Sequence, residues 1–174
     1  VPGTQRAPVE GVHNSIWVQS PGAAILGDPS RWESLRPYVE SVLARFGTDP
    51  RVVAWDLFNE PDSPNPAYRH TEVRRKRALT ARLVDRVFDW AQAAGPEQPL
   101  TVGVYLRPSL ATEHVTATSR ISLERSDVIS FHSYAPARTL LRAMRNGVIA
   151  SMNCKPCPAP LPTNVSNSST NGND

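Results

Sequence analysis

Two short clusters hold the residues best suited to chemistry, Asn59-Glu60-Pro61 and His132-Ser133-Tyr134. Glu60 follows the run Val52-Val53-Ala54-Trp55-Asp56-Leu57-Phe58, whose length and β-branched, aromatic content predict a buried strand over 52–58. Pro61 cannot donate to a sheet ladder, so the strand must stop there. Glu60 therefore falls at the carboxyl end of a strand, where α/β sheets and barrels gather their active sites. A carboxyl group in that place, with the Asn59 amide beside it to orient a hydroxyl, suits acid/base work on a sugar. His132 and Tyr134 are two residues apart, so a strand presents them on one face. A third cluster, His13, Asn14 and Trp17, lies on a loop rich in glycine and proline. An indole beside hydrogen-bonding side chains suits stacking on a sugar ring, and equally suits packing the loop onto the body of the protein.

The elements that must position these residues alternate. Residues 1–29 are expected to form a long loop. Asp28-Pro29 opens a helix as N-cap and first-turn proline. Trp32, Leu35, Val39, Val42, Leu43 and Phe46 follow at helical spacing, with a kink or restart expected at Pro37 and a stop at Gly47. After Glu60 a turn-rich loop leads to a helix expected over about 68–94, striped by Leu79, Leu83, Val84, Val87, Phe88 and Ala91 and ended by Gly95-Pro96. Further strands are expected over 100–106 and 127–134, separated by a loop and a weak helix and followed by a helix over about 137–145. Helix and strand in strict alternation imply a parallel sheet covered by helices.

Composition narrows the function classes. The 174 residues are 40% hydrophobic and 20% charged, as in an ordinary globular domain. A net charge of +3 is too mild to imply nucleic acid, and the basic cluster Arg69, Arg74, Arg75, Lys76, Arg77 reads as the solvated start of a helix. No apolar stretch is long enough to span a membrane. No glycine-rich phosphate loop follows a strand, and no Gly-x-Ser-x-Gly elbow is present. His13, His70, His114 and His132 lack metal-ligand spacing, and Cys154-x-x-Cys157 has no second pair, so neither metal nor cofactor is expected. Two cysteines mark neither an oxidising nor a reducing compartment. From Asn146 the chain turns rich in proline and then in serine and asparagine, and residues 146–174 are expected to be a disordered tail.

The segments Trp55-Asp-Leu-Phe-Asn-Glu-Pro61 and Ser130-Phe-His-Ser-Tyr134, with the loop Gly11-Val-His-Asn-Ser-Ile-Trp-Val-Gln-Ser-Pro21, resemble the cellulase-like glycoside hydrolases of family 5 and their clan of retaining (β/α)8-barrel enzymes. The resemblance covers about residues 1–140 and implies an α/β fold, part of a TIM barrel, with strands four, five and six at 52–58, 100–106 and 128–134. Residues 1–145 would then be part of the catalytic domain. It implies that Glu60 is the general acid/base and that Asn59 holds the sugar 2-hydroxyl. His132 and Tyr134 would line the cleft, with His13, Asn14 and Trp17 as substrate contacts. The implied partner is a β-linked polysaccharide or oligosaccharide.

The chain departs from that pattern in one chemical respect. A retaining glycosidase needs a nucleophilic carboxylate about 5 Å from the acid/base, and in this family it ends the seventh strand. The last glutamate here is Glu124, and the only acid after Tyr134 is Asp174. About three of the eight strands of a barrel are expected. The chain thus reads as the middle of a barrel, and the change of composition near 146 as a shifted reading frame. The expectation is an inactive chain of low stability. Two further readings fit the same residues: a non-catalytic α/β carbohydrate-binding piece, and the product of a decayed gene.

Overall fold

The computed structural model describes residues 7–11, 20–63, 72–105, 116–134, 136–138 and 141. The segment expected to be loop throughout contains one helical turn, α1 (Ala23–Leu26). It is stabilised by Trp32, whose indole N–H donates to the Ile25 carbonyl at 3.0 Å and so satisfies an end group of that turn. Asp28 caps a 3₁₀ turn (Pro29–Leu35) by accepting the Ser30 N–H. α2 (Arg36–Phe46) then restarts with Pro37 in its first turn, where the missing N–H has no helical partner to lose. Phe46, expected in the apolar stripe, is 41% exposed; it ends the helix, and the Arg45 guanidinium lies over its ring.

β1 (Trp55–Asn59) begins at Trp55 rather than at Val52. β2 (Leu100–Tyr105) is the only described strand paired with β1 and starts at Leu100, opposite Trp55, so Val52–Ala54 have no strand partner among the described residues, and Val53 is 84% exposed. α3 (Lys76–Ala94) begins later than expected because Arg75 adopts left-handed backbone, φ 64°, which no α-helix continues through. Gly95, φ 65°, ends it in the conformation that glycine adopts without a Cβ penalty. α4 (Ala117–Arg125) is capped by Thr116, whose hydroxyl accepts the Ser119 N–H. β3 (Phe131–His132) is much shorter than the expected 127–134. Asp127 does not extend the ladder: its N–H donates to the Leu100 carbonyl at 2.8 Å and its carboxylate accepts the Leu100 N–H at 3.0 Å, clasping the start of β2. Ala137, Arg138 and Leu141 are helical; the rest of the helix expected over 137–145, and the tail from 146, lie outside the described residues.

The fold is mixed α/β, with an open sheet of parallel strands in the order β1-β2-β3. Leu100, Val102 and Val104 of β2 pack into one cluster with Leu43 of α2 and Val84, Phe88 and Ala91 of α3, edged by Ile121 and Leu123 of α4. The helices therefore share one side of the sheet. Phe88 and Val84 are fully buried, and truncating the phenyl ring to a methyl would cost about 3–5 kcal/mol. Arg125 bolts α4 to α3, reaching Asp85 and Asp89 at 2.7 Å and Gln92 at 2.9 Å while lying over the Phe88 ring.

Alternation along β2 sends Thr101, Gly103 and Tyr105 to the opposite face, which none of α2, α3 and α4 covers. β1 carries a bulge. Asp56 pairs with Thr101 and Asn59 with Gly103, so Leu57 and Phe58 together oppose Val102. Both Leu57 and Phe58 pack against the helix-side core, and Asn59 is thereby placed on the same face as Asp56.

Candidate active site

Glu60 follows β1 directly, with φ 47°. In regular strand geometry it would point away from the face that Asn59 occupies; the left-handed backbone turns it back. Its N–H donates to the Gly103 carbonyl at 2.7 Å, and its carbonyl accepts the Ser63 N–H at 3.0 Å, closing a tight turn over 60–63. Its carboxylate Oε1 lies 2.7 Å from His132 Nδ1, with the glutamate side chain 16% and the imidazole 35% exposed. One proton lies between the two groups. A carboxyl group so placed can give up a proton and recover it, with one side open to a substrate.

Gly103 forms the floor beneath the pair. A Cβ on it would stand 3.0 Å from Asp56 Oδ2, 3.4 Å from His132 Nε2 and 3.6 Å from His132 Cε1. A methyl group there would press on both the aspartate and the imidazole, so glycine allows their close approach to the strand. Asp56 Oδ1 also accepts the Gly103 N–H at 3.0 Å, supplying an acceptor where the bulge breaks the ladder. His132 pairs with Tyr105 across β2 and β3. The Tyr105 ring stands 6.0 Å from that of Tyr134, tilted by 47°, and Tyr134 is 78% exposed. Carboxylate and imidazole thus meet across β2 at the carboxyl ends of three parallel strands, with Tyr105 in register with His132 and Tyr134 two residues beyond it.

The turn after Glu60 is tied down on both sides. Asp62 Oδ2 accepts the Thr116 hydroxyl at 2.8 Å, and the Ser63 carbonyl accepts the Lys76 ammonium at 3.1 Å. Lys76 also meets Glu72 at 2.6 Å. The heads of α3 and α4 therefore both brace the segment that carries Glu60.

Of the residues singled out in the sequence, Glu60, His132 and Tyr134 fall together at this end of the sheet, and the pairing of Asn59 with Gly103 sets Asn59 beside them. Tyr134 lies just past β3 and not within it. His13, Asn14 and Trp17 lie outside the described residues. Sequence reasoning overlooked Asp56, Gly103 and Tyr105. The signal was there: Thr101, Gly103 and Tyr105 alternate with Leu100, Val102 and Val104, and Asp56 is a lone charge within an apolar run. Among the described residues no cluster of His, Cys, Asp and Glu could hold a metal ion, and no helix is long and apolar enough to cross a membrane. Comparison of the chain with protein-family models, with curated proteins and with solved structures finds no match in any of the three.

Proposed function

We propose that this chain carries the acid/base half of a retaining glycoside hydrolase site, built on strands four to six of a (β/α)8 barrel and directed at a β-linked polysaccharide or oligosaccharide. The observation that carries the reading is the Glu60–His132 pair at the carboxyl ends of parallel strands, on the face opposite the described helices. The order of strands and helices agrees with a barrel segment. So does Thr101 Oγ1, which is buried on the same face and has no hydrogen-bond partner among the described residues; in a closed barrel, inward-facing neighbours meet such a group.

In this reading Glu60 protonates the leaving glycosidic oxygen and then deprotonates the attacking water. His132 holds the carboxyl group in place and shares its proton. Asn59 holds the sugar 2-hydroxyl, Tyr134 lines the cleft, and His13, Asn14 and Trp17 extend the substrate contacts. In this reading no strand ending in glutamate follows Tyr134 to supply the nucleophile of double displacement, and turnover is expected with an added nucleophile.

An external anion tests this directly, because formate or azide can take the place of the missing carboxylate at the anomeric carbon. With formate present, the chain should release phenol from a β-linked aryl glycoside with a poor leaving group. Glu60→Gln should slow that release by about 10²-fold or more, the contribution of a general acid. Equal rates for the two proteins, or no rescued turnover with gluco-, xylo- and mannosides, would sink the assignment.

A further inference from the structure

A glutamate at φ 47° is held there only where its neighbours enforce the conformation. The carboxylate's bond to His132 cannot do this alone, since a side chain with free torsions could keep that bond over a range of backbone angles. The backbone itself must be fixed. We propose that Asp62 and Thr116 are positioning residues: the hydroxyl at the head of α4 latches the turn 60–63 and so keeps the Glu60 carboxylate against His132. The proposal rests on the reading of Glu60 as the acid/base group.

The hydrogen-bond arithmetic at Thr116 supports a directed contact. Its Oγ1 accepts the Ser119 N–H at 3.1 Å and lies 3.0 Å from Ser119 Oγ and 2.8 Å from Asp62 Oδ2. A hydroxyl has one proton to donate. The Asp62 carboxylate is the stronger acceptor and the nearer one, so Thr116 donates to Asp62, and the Ser119 amide and hydroxyl both donate to Thr116. Each donor polarises the next, and the series ends on Asp62 at the positive end of α4. Lys76 holds Ser63, at the far end of the same turn. The turn is thus clamped at Asp62 and Ser63, while its first residue is tied to Gly103.

The test uses the full chain labelled with 15N-histidine. Asp62→Ala removes the latch and leaves the Thr116 cap on Ser119 intact. The His132 Nδ1 resonance should move toward that of free imidazole. Exchange of the Glu60 amide, bound to the Gly103 carbonyl at 2.7 Å, should quicken about tenfold, as expected for loss of one charged hydrogen bond. The Arg120 amide, bound to the Thr116 carbonyl inside α4, should exchange as before. Asp62→Asn, whose side-chain carbonyl still accepts, should keep the wild-type signature, as should Thr116→Ser. Thr116→Val should reproduce the His132 shift together with faster exchange in α4. An unchanged His132 resonance and Glu60 amide in Asp62→Ala, or an Asn variant that behaves like Ala, would overturn the latch. Formate-rescued turnover separates the two ideas. Turnover indifferent to Glu60→Gln defeats the acid/base reading, whereas an unmoved His132 resonance with Glu60-dependent turnover defeats the latch alone.

Discussion

Glu60 and His132, 72 residues apart in the chain, meet at 2.7 Å between Oε1 and Nδ1. A purely structural pair at a strand end would affect stability and little else. A pair that shares a working proton affects turnover. Replacing His132 with Ala should lower formate-rescued turnover about tenfold with little change in KM, because the interaction matters most as charge develops on the carboxylate. Equal loss in kcat and in substrate binding would argue that His132 only shapes the pocket.

Gly103 gives a steric test of the same pair. Gly103→Ala places a methyl group 3.0 Å from Asp56 Oδ2 and 3.4 Å from His132 Nε2, so aspartate or imidazole must move. The expected cost is about 1–3 kcal/mol in stability, measured by urea unfolding, together with a changed His132 resonance. A variant as stable as wild type with an unshifted resonance would show that the floor yields elsewhere.

The left-handed backbone at Glu60 can be isolated by comparing two variants that both lack the carboxylate. Glu60→Gly should be more stable than Glu60→Ala by about 1 kcal/mol, since only alanine retains the Cβ strain of positive φ. Thermal unfolding of the two proteins reads the difference directly. Alanine equal to or above glycine would mean that the turn relaxes once the carboxylate is gone.

Arg125 tests how far the helix layer depends on one side chain. It reaches two carboxylates and an amide from a single guanidinium. Arg125→Met should destabilise the protein by about 1–3 kcal/mol, and Arg125→Lys should recover only part of that, because an ammonium cannot span the same acceptors. Complete rescue by lysine in urea unfolding would show that charge suffices without the fork geometry.

A pH dependence is expected at the Asp28 cap. The Ser30 hydroxyl, and after it the Ser30 amide, hold the Asp28 carboxyl below its ordinary value. The carboxylate's contribution is therefore complete above that ordinary value and is lost as pH falls through the lowered one. Asp28→Asn keeps a capping side chain without the titration. The gap in Tm between wild type and this variant should shrink as pH falls below the ordinary value and through the lowered one. A gap that stays constant would show that the cap works without its charge.

The fold was legible where periodicity was strong. The α3 stripe Leu83, Val84, Val87, Phe88 and Ala91 is buried as its spacing requires, and the strand–helix alternation gives the parallel sheet. Boundaries were legible only where a residue forbids continuation, as Gly95 does. The late start of α3 depends on a non-glycine residue in left-handed backbone, which carries no sequence signature, and at the head of β2 the Asp127 side chain, not a backbone carbonyl, accepts the Leu100 N–H. The meeting of Glu60 and His132 could be anticipated from strand ends. The roles of Asp62 and Thr116 could not, because each is defined by the other, 54 residues away in the chain and outside any motif.

The bulge in β1 has a consequence for how tolerant this site can be. A strand shows its side chains in two beats, and β1 holds one beat twice, at Leu57 and Phe58, before resuming. Plain alternation over the same residues would send the amide toward the helices, so the doubled beat is what keeps Asn59 opposite Gly103. Removing either Leu57 or Phe58 would erase the doubled beat and still leave the amide on that side, whereas straightening the strand at its present length would turn it away.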